Sequence, residues 1–397
     1  MLQVATLAGP PHVLLACCGL DHARRGFESF ARECFDQLHD DQGVKIELVK
    51  GSGTGGTDVS VIPTLRRDRR VARTLGQLIG FRPFRLESLA FAVSLQPLIT
   101  RRRPDVVYTS EWDTARGLAW VRSVSRQRFK LLLCNGGFAE RGFGHLDHVQ
   151  QLTPAARDHV LRLGADPARH TVLPLGFTIP FALSVPSDAD RAALRAKWQL
   201  PADDWIVISV AALNRSHKRL DYMIDELAAV PGPQPFALLV GEPDAETPAL
   251  RSYAARRLEP GRHRFLTVAS DQVSELLLAS DVFVLASVAE MQGRAVVEAM
   301  SRGLTCIVHD SPVLRFAVGE HALVGNLEQP GSLTRLLARA RSDRPDPIKA
   351  EERHRYVYER FGWERLKPAY IRLLEAVARG DTANRTVSSS NGEKLSK

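Results

Sequence analysis

The chain has 397 residues, of which 44% are hydrophobic and 25% are charged. This composition is typical of a globular protein long enough for two α/β domains. No apolar run approaches the roughly 20 residues that a membrane-spanning helix needs, so we expect no such helix. The five cysteines lie mostly in apolar runs and form no CxxC pair, which favours buried thiols in a reducing compartment over disulfides or structural zinc. We therefore expect a cytoplasmic protein.

Positive charge is concentrated in one part of the sequence. The net charge is +8, and between Arg66 and Lys130 there are fifteen Lys and Arg residues against five Asp and Glu. Such a region suits a solvated basic face, an anionic membrane surface or a nucleic acid. No recognised nucleic-acid-binding motif accompanies the charge, so we expect no nucleic-acid partner. A solvated face and peripheral contact with the inner face of a membrane both remain open.

Apolar strand candidates alternate with helical segments through the first half of the chain. The strand candidates are residues 12–20, 44–49, 104–108, 130–134, 149–152 and 171–173. The helical candidates between them are residues 27–38, 86–99 and 114–124. Strands separated by helices predict right-handed βαβ units and a parallel sheet.

The same alternation starts again after residue 180. Strand candidates are residues 205–210, 236–240, 265–268, 281–286 and 304–308, and helical candidates are 191–198, 219–230, 272–279 and 295–300. Two Rossmann-like halves of similar size predict a ligand cleft between them. The polar, Ser-rich residues 380–397 lack any apolar period and are expected to be disordered.

Two glutamates eight positions apart, Glu290 and Glu298, follow the strand candidate 281–286. Glu290 lies in the loop at the carboxyl end of this strand, and Glu298 lies on the helix that begins after Gly293. Carboxylates can bind sugar hydroxyls, and the free N–H groups of a helix N-terminus favour phosphate. The combination suits a nucleotide sugar, although either glutamate could instead be a solvated helix residue.

This segment resembles the E-x7-E motif of the retaining glycosyltransferases of family 4. The positions that match the motif are Glu290, Gly293, Glu298, Ala299, Met300 and Gly303, whereas Met291 and Gln292 replace the usual Gly and Phe. Residues 146–176 and 359–374 extend the resemblance to the end of the first domain and to the last helix. Thr153 would cap the helix that follows it.

The resemblance implies an α/β protein with the GT-B fold, in which two Rossmann-like domains face a central cleft. Residues 1–180 would form the acceptor-binding domain and residues 181–360 the nucleotide-sugar-binding domain. Residues 361–379 would form a helix that crosses back to the first domain, and residues 380–397 a disordered tail.

The resemblance also assigns donor-binding roles. Glu290, with the loop residues Met291, Gln292 and Gly293, would handle the donor sugar and phosphate, and Glu298 would hold the ribose hydroxyls. Lys218 matches the lysine that the family places on the diphosphate. The family's arginine position is occupied by Ala212, so a second cation would come from Arg215, from Arg294 or from nowhere.

Acceptor-side candidates lie in the first half. Asn135 ends a strand where the family often has a histidine, and it can hydrogen-bond a hydroxyl but cannot take a proton. The loop that contains Gly26 and ends at Glu28 resembles the family's acceptor-side loop, although a turn capping a helix fits it equally well. Glu111 and Asp113 follow a strand that should face the same cleft.

We expect no metal and no cofactor. The only Asp-x-Asp triplet, Asp188-Ala-Asp190, begins a helical segment. Acidic side chains there interact favourably with the positive end of the helix dipole. Cations must then stabilise the leaving diphosphate.

The sequence thus predicts a retaining, metal-independent glycosyltransferase. It would move a hexose-type sugar from a nucleotide-diphosphate sugar to a hydroxyl of a glycan, a lipid-linked saccharide or a small molecule. The alternative is a catalytically idle GT-B protein that binds sugar nucleotides or acts as a scaffold. A dehydrogenase is disfavoured because no Gly-x-Gly-x-x-Gly follows a predicted strand.

Overall fold

The computed structural model describes residues 9–23, 26–138, 143–343 and 346–381. The chain divides into two units. One contains Met1–Phe177 together with Leu366–Lys397, and the other contains Thr178–Arg365.

The first unit is built on a parallel sheet, which has seven strands in the part of the chain that the structure describes. They are β1 (His12–Cys17), β2 (Lys45–Lys50), β3 (Val59–Val61), β4 (Val106–Thr109), β5 (Lys130–Asn135), β6 (His148–Gln151) and β7 (His170–Val172). Their order is β3-β2-β1-β4-β5-β6-β7. β1 lies at the centre, with Val13 opposite both Ile46 and Val106. Its burial explains its continuous apolar sequence.

Helices connect these strands. They are α1 (Gly26–Leu38), α2 (Arg70–Ile79), α3 (Pro83–Ser94), α4 (Gln96–Arg102), α5 (Trp112–Ser125) and α6 (Pro154–Arg162), with a short 3-10 turn at Pro167–Arg169. The predicted helix 86–99 is wrong in one respect, because it is divided at Leu95 into α3 and α4. Pro97 lies in the first turn of α4 and has no N–H to continue the hydrogen-bond ladder.

The second unit repeats the design with six described strands. In chain order its elements are α7 (Asp188–Lys197), β8 (Ile206–Val210), α8 (Leu220–Ala228), β9 (Phe236–Val240), α9 (Thr247–Arg257), β10 (His263–Leu266), α10 (Val273–Ala279), β11 (Val282–Leu285), α11 (Arg294–Met300), β12 (Thr305–His309), α12 (Pro312–Val318), β13 (Leu323–Gly325), α13 (Ser332–Ser342), α14 (Pro347–Phe361) and the start of α15 (Trp363–Arg379). The sheet order is β10-β9-β8-β11-β12-β13, with every pair parallel. From Leu366 onward, α15 belongs to the first unit.

Two helix starts follow from local sequence. The Thr153 hydroxyl accepts a hydrogen bond from the Ala156 N–H at 3.2 Å, which confirms the predicted cap of α6. At α7, the Ser187 hydroxyl accepts from the Asp190 N–H at 3.1 Å, and an Asp190 carboxylate oxygen accepts from the Ser187 N–H at 3.2 Å. This capping box explains the Asp-x-Asp triplet as a helix start.

Seven of the described elements had no counterpart among the sequence predictions: β3, α2, α9, α12, β13, α13 and α14. The predicted strand 265–268 begins two residues earlier, at His263. The predicted disordered tail lies outside the described residues from position 382 onward.

All five cysteines are buried free thiols, as their apolar neighbours predicted. In the described ranges, no helix combines the length and the apolar composition needed to cross a bilayer.

Candidate active site

The loops after β8 and β11 lie side by side at the carboxyl edge of the second sheet. β8 pairs with β9 on one side and with β11 on the other, so the strand order reverses between β8 and β11. Ligands of open α/β sheets bind at this switch point, beyond the carboxyl ends of the strands. The loop after β8 carries Lys218, and the loop after β11 carries Glu290.

These two side chains form an ion pair across 72 positions of sequence. Lys218 Nζ donates to Glu290 Oε1 at 2.5 Å, and the side chains are only 17% and 12% exposed. An ion pair shielded from solvent in this way is stronger than a pair at an open surface. The structure therefore brings together two of the three residues predicted to be catalytic.

Asn214 fixes the loop that carries Lys218. Its side-chain oxygen accepts from the backbone N–H of Lys218 at 2.8 Å, and its amide nitrogen donates to Asp244 at 2.9 Å. Asn214 is buried, and its position was absent from the predicted site. An asparagine in a loop ahead of a helix is the only sequence signal for such a role.

The loop after β11 turns at Gly293 into α11. Gly293 has φ +77°, a left-handed conformation that favours glycine. A Cβ atom here would lie 2.9 Å from Leu314 Cδ2 and 3.1 Å from Val296 Cγ1. Gln292 is buried and Met291 is about half exposed, so the two replacements in the motif have different surroundings.

Glu298 lies on α11 and is bonded within its own helix. Arg294 Nη2 lies 3.4 Å from Glu298 Oε1, and the Glu298 side chain is 38% exposed. Desolvation by burial lowers the pKa of the neighbouring Arg302, although the Glu298 carboxylate opposes this shift.

Arg215 is held by other acids. Its Nε donates to Asp221 at 3.0 Å, its guanidinium lies 5.2 Å from the centre of the Tyr253 ring, and its backbone N–H donates to Glu246 at 2.8 Å. The Asp221 carboxylate raises the pKa of Arg215. The two cations proposed to accompany Lys218, Arg215 and Arg294, are thus each paired with a carboxylate other than Glu290.

In the first unit, Glu111 is buried at the switch point between β1 and β4. Its carboxylate accepts from the backbone N–H of Cys18 at 2.9 Å and from that of Gly19 at 3.3 Å. The Thr114 hydroxyl also donates to it at 2.9 Å. Through these contacts, Glu111 holds the backbone of Cys18 and Gly19 at the start of the loop after β1.

Glu28 lies in the first turn of α1, which begins at Gly26. Glu28 Oε1 lies 3.5 Å from Arg67 Nη2, and Arg67 also forms an ion pair with the buried Glu87. Arg67 is a second residue that the sequence reasoning missed, because nothing distinguishes it from its neighbours in the basic run that begins at Arg66.

The remaining candidates of this unit are Asn135, predicted to be catalytic, and Asp113, predicted to lie on the acceptor side. The two do not share a contact partner. Asn135 donates to the carbonyl of Gly137 and to Gln151 Oε1, both at 2.8 Å. Asp113 lies 3.6 Å from Arg85, and burial raises the pKa of its carboxyl group. Asn135 belongs to the first unit, whereas Lys218 and Glu290 belong to the second.

No cluster of three or more His, Cys, Asp or Glu side chains with the geometry of a metal site occurs within the described ranges.

Comparisons with known proteins agree with this architecture. Residues 190–360, somewhat less than half of the chain, match the family model described as glycosyl transferases group 1. None of the curated proteins matches the sequence.

Solved structures match over nearly the whole chain. HepE of Anabaena, in complex with UDP and glucose, has a TM-score of 0.72 and 18% identity and covers 92% of this chain and 100% of its own. Sucrose-phosphate synthase of Thermosynechococcus elongatus has a TM-score of 0.74 with the same identity and coverage. A glycosyltransferase of Rickettsia africae has a TM-score of 0.71 and 14% identity and covers 93% of this chain and 98% of its own.

At these identities the structural matches establish the fold. The predicted α/β architecture of two Rossmann-like parallel sheets is confirmed as that of GT-B glycosyltransferases. The part of the second unit that spans residues 190–360 is thus similar to the glycosyl transferases group 1 model, within a chain that has the GT-B fold.

Proposed function

We propose that the protein transfers a hexose from a nucleotide-diphosphate sugar to an acceptor hydroxyl, with retention of the anomeric configuration and without a metal. The observation that carries this proposal is the Lys218–Glu290 pair at the switch point of the second sheet. HepE, a structural neighbour, was solved with UDP-glucose, so a UDP-hexose is the first donor to test.

The donor is assigned to the second unit. The ammonium group of Lys218 neutralises the leaving diphosphate, and Glu290 accepts hydrogen bonds from hydroxyls of the donor sugar. Glu298, whose side chain is partly exposed, accepts from the ribose hydroxyls. Backbone N–H groups near Gly293 complete the phosphate contacts.

The transfer needs no side-chain base. The acceptor oxygen attacks the anomeric carbon on the face from which the diphosphate departs. The bond from that carbon to the phosphate oxygen breaks, the bond to the acceptor oxygen forms, and the acceptor proton passes to the leaving phosphate. Charge that develops on the diphosphate is stabilised by preorganised cations, the role given to Lys218.

The donor is identified by thermal shift with UDP, GDP and ADP, since a ligand that binds the folded state raises its stability in proportion to ln(1 + [L]/Kd). Hydrolysis of the matching sugar nucleotide, with water in place of the acceptor, then measures turnover. Binding without turnover would indicate the idle sugar-nucleotide-binding protein instead.

Retention and metal independence have separate tests. The anomer of the first product is read by NMR, and an inverted anomer would exclude retention. Turnover should persist in EDTA, and activity that is lost in EDTA and restored by Mg²⁺ would overturn the metal-free mechanism.

The ribose role is tested by Glu298→Ala. It should weaken nucleotide binding roughly tenfold, the effect of losing about 1.4 kcal/mol of hydrogen bonding. The control is Glu328→Ala, at an exposed position of the same unit. Equal affinity in the Glu298→Ala variant and the parent would remove Glu298 from the site.

A further inference from the structure

Helix α2 carries an apolar stripe that faces outward. Val71, Leu75 and Leu78 recur at the spacing of one helical face, and they are 66%, 38% and 79% exposed. The opposite side of the helix, at Ala72 and Gly76, is buried. Three large apolar side chains of α2 therefore face outward and do not pack on the core.

Basic residues surround the stripe. Arg69 and Arg70 at the start of α2, and Arg82 just after its end, are all exposed. Asp68 is the acidic residue nearest to this group in sequence, and it is paired with Arg66 at 2.6 Å. The surface around α2 is thus both apolar and positively charged.

The segment that leads into the stripe contacts helices α1 and α3. Arg67, three residues before α2, contacts Glu28 in the first turn of α1 and forms an ion pair with buried Glu87. Its guanidinium also lies 4.6 Å from the centre of the Phe84 ring in α3. The segment leading into α2 is therefore anchored on both sides.

We propose that α2 docks in the interface of an anionic lipid bilayer. An exposed apolar stripe flanked by arginines complements a surface whose headgroups are negative and whose acyl chains lie just beneath them. A second copy of the chain would place its own arginines next to these arginines, and the like charges would repel. A nucleic acid would pair with the arginines but has no apolar surface to cover Val71 and Leu78. This docking surface is independent of the proposed glycosyl transfer.

The test is vesicle sedimentation of the full chain without nucleotide. Vesicles contain phosphatidylcholine alone or with about one third phosphatidylglycerol, and salt is raised to about 0.5 M in a parallel series. The protein should sediment with the anionic vesicles and be released by salt. Failure of the parent protein to bind anionic vesicles would overturn the proposal.

Two variants separate the apolar and charged contributions. Val71→Ser/Leu78→Ser should lower the bound fraction roughly fivefold, because the stripe enters the interface. Arg69→Gln/Arg70→Gln should weaken binding mainly at low salt. Sedimentation of the stripe variant equal to that of the parent would also overturn the proposal.

The matched control is Ile348→Ser on α14 of the second unit, where the side chain is 72% exposed. This variant should sediment like the parent. Because the changed side chains are exposed, all variants should keep the parent melting temperature, which separates lost docking from lost folding. A control that loses binding as strongly as the stripe variant would show non-specific apolar adsorption and contradict a defined docking face.

Discussion

Lys218 and Glu290 neutralise each other in surroundings where both are largely shielded from water. A free ammonium group there would be costly to desolvate, and so would a free carboxylate. The pair keeps both charges in place. A diphosphate that replaces Glu290 as the partner of Lys218 would leave the carboxylate available for sugar hydroxyls.

Removing the ammonium group should lower turnover. We expect Lys218→Ala to lower kcat for donor hydrolysis by roughly a hundredfold, about 2.7 kcal/mol of transition-state stabilisation. Lys218→Arg should recover part of this loss because it keeps the charge. The measurement is steady-state kinetics.

The matched control is Lys197→Ala, which removes a more exposed lysine from its pair with Glu275. Its kcat should equal that of the parent. A Lys218→Ala variant with the parent kcat would contradict the assigned role, and a rise in KM alone would reduce the role to ground-state binding.

The location of a single residue could be predicted where it depends on nearby sequence. Lys218 and Glu290 follow recognisable strands, so their location at a sheet edge could be inferred. Glu111 stays a predicted acceptor-side residue, and its carboxylate accepts hydrogen bonds from the N–H groups of Cys18 and Gly19, 93 and 92 positions away. Such a contact exists because β1 and β4 are neighbours, which the residues around Glu111 do not reveal.

At the scale of elements, buried strands were the easiest to predict. A helix with exposed apolar residues, such as α2, was the hardest. β1, β4 and β5 read as continuous apolar runs because both of their faces are covered. Helix α2 was missed because its apolar residues face outward and its basic residues dominate the segment. A sequence pattern identifies an element through its buried face, and the α2 residues that the structure describes as buried, Ala72 and Gly76, are small.

The turn into α11 should be sensitive to any side chain at position 293. Gly293→Ala combines a left-handed backbone with a Cβ atom 2.9 Å from Leu314. We expect a loss of about 2–3 kcal/mol in the free energy of unfolding, from strain and overpacking together. Urea denaturation measures it.

Gly261→Ala is the control for backbone strain alone. Gly261 has φ +79°, nearly the same as Gly293, but a Cβ atom there would have no neighbour within 4 Å. It should lose only about 1 kcal/mol. Equal losses in the two variants would show that the Leu314 side chain moves aside at no cost in free energy. Backbone strain alone would then account for the loss of stability.

For the whole molecule, we expect two buried histidines to contribute to the response to acid. Burial lowers the pKa of His148 and of His170 to about 4. His170 Nδ1 lies 3.0 Å from the amide nitrogen of Gln151, so the neutral ring accepts this hydrogen bond and protonation would break it. The unfolded chain, with histidine pKa values near 6.5, binds more protons in this interval.

Stability should therefore be full above about pH 6.5 and fall as the pH drops toward 4, by on the order of 3 kcal/mol for one such shift. Urea denaturation at a series of pH values measures the slope. A His148→Gln/His170→Gln variant should show a shallower slope in this window. An unchanged slope would assign the acid sensitivity to other groups.

The last helix stabilises the first unit through one buried hydroxyl. Tyr370 is fully buried, and its hydroxyl donates to the carbonyl of Pro174 at 2.7 Å and accepts from Gln150 Nε2 at 3.0 Å. Tyr370→Phe leaves the Pro174 carbonyl without this donor, so we expect a loss of about 1–3 kcal/mol in urea denaturation. The control is Tyr253→Phe, whose more exposed hydroxyl donates to Asp225 and should matter less.

Helix α15 contributes to the first unit although it is synthesised last, and this affects how the chain folds during synthesis. The first unit is not contiguous, because its core includes Tyr370 and Leu374 from a segment that follows the whole second unit. During synthesis, residues up to 177 leave the ribosome long before those side chains exist. We therefore expect that the second unit can complete its core first, whereas the core of the first unit is complete only after the last helix has been synthesised.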